Sequence, residues 1–255
     1  SSYEAAIQDN TKILYIETLS NPTLKVADVP AFAEIAQRHN LLLVIDNTFT
    51  TPWTTQPIAM GCDLVIHSTT KYLGGHSDIV GGAVVGDAEL IATLFPKKVH
   101  FGGCPDPNAC YLLERGMRTL HARMPIHVSN SIELAKRLEQ HPKVSSVNHP
   151  MLEGNSQYQL AQKIMPRGTG MLAFTLHGGD EVAIKFVSSL EIIFEATSLG
   201  GVESLAECPF NTSHMFVPED VRIAAGINPG FVRMSIGIED VEDLWNDISQ
   251  ALTSI

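Results

Sequence analysis

Short, uninterrupted apolar runs dominate the first half of the chain, and helical patterns separate them. Residues 12–17, 41–46, 64–68 and 83–85 are apolar runs of strand length. Between the first two, Val29, Phe32, Ala33 and Ala36 share one face of a helix. Asp28 suits its N-cap, Pro30 suits its first turn, and it runs to about His39. Apolar runs without alternation read as strands buried on both faces, which predicts an α/β layer structure around a mostly parallel sheet. Sites in such sheets gather at the carboxyl ends of the strands. The second run ends in Asp46, and the third leads into Ser68, Thr69, Thr70 and Lys71.

The pattern changes in the second half. From Pro105 or Asp106 to about Gln140 it predicts one long helix, broken at Pro125 and closed before Pro142. Beyond it, 144–147, 171–176, 192–195 and 231–236 read as strands, and 180–190, 218–225 and 240–252 as helices. This predicts a second, smaller α+β domain over 126–255, following residues 1–125 as the C-terminal part of a large one. Residues 1–7 read as the last turns of a helix, so a preceding segment is expected. The chain shows neither an internal repeat nor a low-complexity tract.

Composition narrows the function classes. With 44% hydrophobic and 18% charged residues among 255, the chain is core-forming rather than disordered. A net charge of −11 argues against nucleic acid or an anionic membrane surface as partner. Cys62, Cys104, Cys110 and Cys208 form no CxxC pair and no metal-ligand spacing, so free thiols and no metal are expected. No apolar run approaches the length of a membrane span. The expected compartment is the cytoplasm.

Residues 63–77 carry the chemistry: Asp-Leu-Val-Ile-His-Ser-Thr-Thr-Lys-Tyr-Leu-Gly-Gly-His-Ser. They place one amine at the exit of a buried strand, with hydroxyls beside it and a glycine pair behind. That arrangement suits a Schiff base between Lys71 and pyridoxal 5'-phosphate (PLP), with Ser68 and Thr70 as phosphate ligands. Thr69 reads as structural. Asp46 at a neighbouring strand end suits the pyridine nitrogen, which must stay protonated for the ring to draw electrons. Arg233, within an apolar strand, needs an anion. A two-pronged grip on a substrate α-carboxylate is its natural use, and a structural ion pair with a buried Asp or Glu ranks behind. Tyr72, His67 and His76 read as packing or loop residues.

The same stretches resemble the Cys/Met-metabolism PLP enzymes, the cystathionine γ-synthase/γ-lyase and methionine γ-lyase group. Residues 63–77 match its PLP-attachment signature. Val44 to Phe49 match its Asp-Asn-Thr-Phe motif, and Arg115 to Leu120 its Arg-Gly-(Leu/Met)-x-Thr-Leu helix. The resemblance implies fold type I of the PLP-dependent transferases, with a large PLP-binding domain that is incomplete here. It implies β- or γ-elimination or γ-replacement on sulfur amino acids, with methionine γ-lyase or O-acylhomoserine sulfhydrylase activity as the alternative. It also implies a homotetramer with active sites at a dimer interface.

Three further roles follow from the resemblance alone. Asn21, in Glu-Thr-Leu-Ser-Asn-Pro-Thr, falls near the cofactor's phenolic oxygen and the substrate carboxylate. Ser198, in Ser-Leu-Gly-Gly-Val-Glu-Ser, belongs to a loop that helps hold that carboxylate. Thr197 departs from the family pattern, in which Glu often precedes this Ser in members that handle cystathionine and an apolar residue does so in the lyases that act on methionine; Thr fits neither. The family's glycine-rich phosphate turn, its ring-stacking Tyr and its Tyr-x-Arg segment have no counterpart upstream of Lys71. An accompanying N-terminal fragment is therefore expected. A truncated, catalytically weak homologue serving as a binding or scaffold protein is the reading from a different class.

Overall fold

The computed structural model describes residues 2–255. Its first sheet is built from β1 (Ile13–Glu17), β2 (Leu42–Asp46), β3 (Leu64–Ser68) and β4 (Gly82–Gly86), side by side in that order. β1, β2 and β3 run parallel, and β4 returns antiparallel to β3. Leu43, Val44 and Ile45 of β2 are all buried, as an unalternating run requires. β1 instead buries only Leu14 and Ile16, while Ile13 and Tyr15 are exposed. The helix Val29–Arg38 begins as its sequence dictates. Asp28 accepts a hydrogen bond from the Ala31 amide at 3.3 Å, and Pro30 occupies the first turn.

The second sheet contains β5 (Val144–Asn148), β6 (Met171–Leu176), β7 (Phe194–Glu195), β8 (Leu205–Glu207) and β9 (Phe231–Ser235), in the spatial order β5-β6-β9-β8-β7. All its pairings are antiparallel except β7 with β8. β6 and β9 are buried along their whole length. The helices Leu120–Glu139, Asp180–Ser188 and Val241–Ser254 cover the sheet with Leu134, Leu138, Phe186, Leu244 and Ile248.

Two expectations need correction. The long helix over 105–140 is two helices, Pro107–Met117 and Leu120–Glu139. The break lies at Arg118–Thr119 rather than at Pro125, which is only the sixth residue of the second helix. There the carbonyl that the proline ring would crowd belongs to the first turn. The strand expected over 192–195 is only Phe194–Glu195. The helices Ala88–Phe101 and Tyr158–Ile164 and strand β8 had no reading at all. The first of these helices buries none of its residues, so its apolar side chains, among them Phe95 and Phe101, stand exposed. All four cysteines are free thiols. Among the described residues, no group of three or more His, Cys, Asp or Glu could hold a metal, and no helix is long and apolar enough to cross a membrane.

Candidate active site

Asp46 and Ser68 end neighbouring parallel strands, with Asp46 in register with Ile66, two residues before Ser68. Asp46 is half-buried, and its Oδ1 accepts the Thr48 amide at 2.9 Å. The Tyr15 hydroxyl lies 3.5 Å from the other oxygen, too long for a firm bond. That oxygen is available to an N–H donor. Asn47 beneath it is fully buried. Its carbonyl accepts from Thr18 at 2.7 Å and Thr50 at 2.5 Å, and its amide donates to the Thr55 carbonyl at 3.0 Å. This network fixes the strand end that carries Asp46.

Lys71 lies in the irregular turn Thr69–Leu73 with φ −94° and ψ −137°, outside helical geometry. Arg123, buried in the helix Leu120–Glu139, clamps this turn. It donates to the Tyr72 carbonyl at 2.9 Å, the Gly116 carbonyl at 3.1 Å and Thr119 Oγ1 at 3.0 Å. Gly75, at φ +74°, lets the guanidinium pack against the turn, because a Cβ there would collide with it. Half-burial and the nearby Arg233 charge hold the Lys71 amine below its usual range, and Glu207 partly opposes that shift. The amine donates to Ser198 Oγ at 2.9 Å.

Ser198 stands in the loop between β7 and β8, which is fastened to the lysine turn. Val202 donates to the Gly75 carbonyl at 3.1 Å, and the Gly200 amide donates to Ser235 Oγ at 2.8 Å. Gly200 is at φ +76°, and a Cβ there would strike the Tyr72 backbone.

Arg233 on β9 is almost wholly buried. Its Nη1 donates to Asn21 Oδ1 at 2.9 Å, and its Nη2 donates to the carbonyls of Thr197 at 2.9 Å and Ser198 at 3.0 Å. Asn21 itself is held by its amide, which donates to Glu17 Oε2 at 3.0 Å. Lys71, Ser198, Arg233 and Asn21 therefore form one hydrogen-bonded chain across four distant segments. The ion pair ranked second for Arg233 is present as well. Glu207, fully buried on β8 directly opposite Arg233, faces Nη2 at 2.9 Å. Sequence reasoning did not name Glu207. Its only signal was a carboxylate in an apolar stretch just after the glycine loop.

The two hydroxyl candidates differ. The Ser68 amide donates to Thr48 Oγ1 at 2.9 Å, and among the described residues its own hydroxyl makes no hydrogen bond. The Thr70 hydroxyl donates to the Gly81 carbonyl at 3.3 Å and accepts the Gly81 amide at 3.0 Å, so its proton is already engaged. Tyr72 is buried edge-on against His127, 5.3 Å between centroids. His67 is buried, and that burial keeps its ring below the usual histidine range. Exposed His76 pairs through Nδ1 with the Gly74 carbonyl at 2.8 Å.

An amine made more nucleophilic by burial, a carboxylate with an open oxygen on the adjacent strand and a buried guanidinium define a carbonyl-cofactor site at the strand ends of an α/β sheet. An amine, a carboxylate with an open oxygen and the free hydroxyl of Ser68 are the kinds of group that PLP's aldehyde, ring nitrogen and phosphate require. The chain belongs to the Cys/Met metabolism PLP-dependent enzyme family, whose sequence profile matches residues 1–253. It is 42% identical over 257 residues to a cystathionine gamma-lyase of Bacillus subtilis, covering 99% of this chain and 66% of that one. It is 40% identical over 251 residues to an L-methionine gamma-lyase of Pseudomonas putida, covering 98% and 63%. Among solved structures it superposes on a cystathionine gamma-lyase from Lactobacillus plantarum, complexed with L-serine. The TM-score there is 0.94 and the identity 37%, with 99% of this chain and 66% of that one covered. The chain thus spans less than two thirds of the length of these relatives.

Proposed function

We propose that this chain carries the lysine-bearing part of a PLP enzyme that breaks or makes carbon–sulfur bonds in sulfur amino acids, by β- or γ-elimination or γ-replacement. The observation that carries this reading is the Lys71–Ser198–Arg233–Asn21 chain of hydrogen bonds, which sets an amine beside a receptor for an α-carboxylate. Bound PLP supplies an electron sink that stabilises negative charge at the substrate α-carbon. Lys71 would hold the cofactor through its aldehyde, and its amine nitrogen would serve as the base that takes the substrate α-proton and returns it at the neighbouring carbon. Asp46 would accept the ring N–H, and Ser68 and Thr70 would donate to the phosphate, Thr70 on giving up its bond to the Gly81 carbonyl. Arg233 and Asn21 would orient the substrate carboxylate, and Ser198, which accepts from the Lys71 amine, would help hold that amine in place.

The relatives are named for cystathionine and for methionine, and Thr197 matches neither the Glu common in family members that handle cystathionine nor the apolar residue of those that act on methionine. An uncharged Thr197 has nothing to pair with the distal ammonium of cystathionine. The cytoplasm and a homotetramer with shared active sites complete the proposal. The exposed side chains of Ile13, Tyr15, Val84 and Val85 support it, because a parallel sheet is ordinarily covered on both faces. We propose the large and small domains at 1–125 and 126–255. Analysis of products from cystathionine, methionine, cysteine and O-acylhomoserine with the full-length, PLP-loaded protein tests the function. Absence of a keto acid or of a replaced γ-substituent from every one of them overturns it in favour of a non-catalytic homologue.

A further inference from the structure

Arg233 is held by more partners than its orientation requires. Three neutral oxygens, from Asn21, Thr197 and Ser198, already accept from its two terminal nitrogens. Glu207 adds a fourth contact from the facing position of the adjacent strand, with both side chains almost completely shielded from water. The Glu207 carboxylate is itself anchored. Thr212 Oγ1 donates to Oε2 at 2.8 Å, and Ser213 Oγ lies 3.4 Å from Oε1, so it is not free to swing away. What Glu207 alone brings is therefore charge. A buried guanidinium without a counter-charge would hold any entering carboxylate tightly, the product's as firmly as the substrate's. Uniform tightening of that kind lowers KM without raising kcat, and it slows product release.

We propose that Glu207 is a fixed counter-charge on Arg233 that weakens its hold on the amino-acid α-carboxylate, so that product can leave. The inference rests on the reading of Arg233 as the carboxylate receptor. One hydrogen on Nη1 remains beyond the one given to Asn21, and the Nε–H has no partner among the described residues; these are the donors left for that carboxylate. Substrate and Glu207 then share one guanidinium from two sides. Their mutual repulsion sets the affinity, while the neutral acceptors keep the geometry.

The test is calorimetric binding of L-alanine and of L-alaninamide to the full-length, PLP-loaded protein. These probes differ in the carboxylate alone. Glu207→Gln, which keeps the size and one acceptor, is expected to bind alanine about tenfold or more tighter than wild type, with alaninamide unchanged. Glu207→Asp draws the charge back by one methylene and is expected to tighten alanine by a few-fold. It gives the same sign of effect if the Gln variant does not fold. In turnover, KM and kcat of the Gln variant are expected to fall together. Alanine binding that stays equal or weakens in both variants overturns the proposal, as does equal tightening of alaninamide. A wild-type protein that does not distinguish the two probes overturns the Arg233 reading and this proposal with it.

Discussion

Lys71 Nζ donates a 2.9 Å hydrogen bond to Ser198 Oγ across 127 residues of sequence. The same serine's carbonyl accepts from Arg233. One residue of the glycine loop therefore joins the amine of the first sheet to the guanidinium of the second.

Lys71→Ala is expected to abolish both turnover and the visible absorbance of covalently held PLP in the full-length protein. Borohydride treatment of the wild type should fix the cofactor at Lys71, located by peptide mass analysis. Full activity with unchanged absorbance in the variant contradicts the assignment.

Arg233→Lys replaces a fork that feeds three neutral acceptors with a point charge. Amino-acid affinity should fall about tenfold to a hundredfold, the worth of a charge-assisted hydrogen bond or two, while PLP affinity holds. Measured loss of PLP with intact amino-acid binding would give Arg233 a different role.

Thr197→Glu is expected to raise the ratio of kcat/KM for cystathionine over that for methionine. Thr197 is exposed, and its carbonyl is bonded to Arg233, so its side chain stands free at the rim of the carboxylate receptor. An unchanged ratio shows that the position does not meet the distal group.

Acid should unfold this protein partly through two buried histidines. Burial pushes His127 and His149 down to about 4. His127 donates from Nδ1 to the Ile236 carbonyl at 2.7 Å, and His149 accepts the Met151 amide on Nδ1 at 3.2 Å. Both rings are thus neutral when folded and take up a proton near 6.5 when unfolded. Between pH 6.5 and 4 the unfolded chain binds more protons, so stability falls as pH falls, by up to about 3 kcal/mol for each ring. Urea midpoints measured from pH 7 to 4.5 should show this slope, and His149→Gln should flatten it.

The open apolar side chains of the first sheet and of the helix Ala88–Phe101, among them Val85, Phe95 and Phe101, should be covered in the working assembly. Chromatography with mass analysis is expected to find a multimer or an accompanying polypeptide. A stable monomer of this chain alone, binding PLP tightly, contradicts that expectation.

The sequence by itself determined the elements whose signal is local. The apolar runs of β1 to β3 and the Asp28 cap were legible because a strand's apolar residues and a cap leave a mark in neighbouring residues, although β1 proved buried on one face alone. The lysine signature was legible because an amine among hydroxyls and glycines has few other uses. Tertiary structure alone decided the rest. Arg118–Thr119 breaks the long helix although Pro125 carries the stronger local signal, since a proline near a helix start displaces little. Strand β8 is three residues long, too short for periodicity, and it exists because β9 pairs with it. The partner of Arg233 could be foreseen only as some buried acid, because the pairing of Glu207 with Arg233 depends on the register of two strands far apart in sequence. The sequence names which groups can react, while the charge each one feels is set by neighbours that only the folded chain brings within 3 Å.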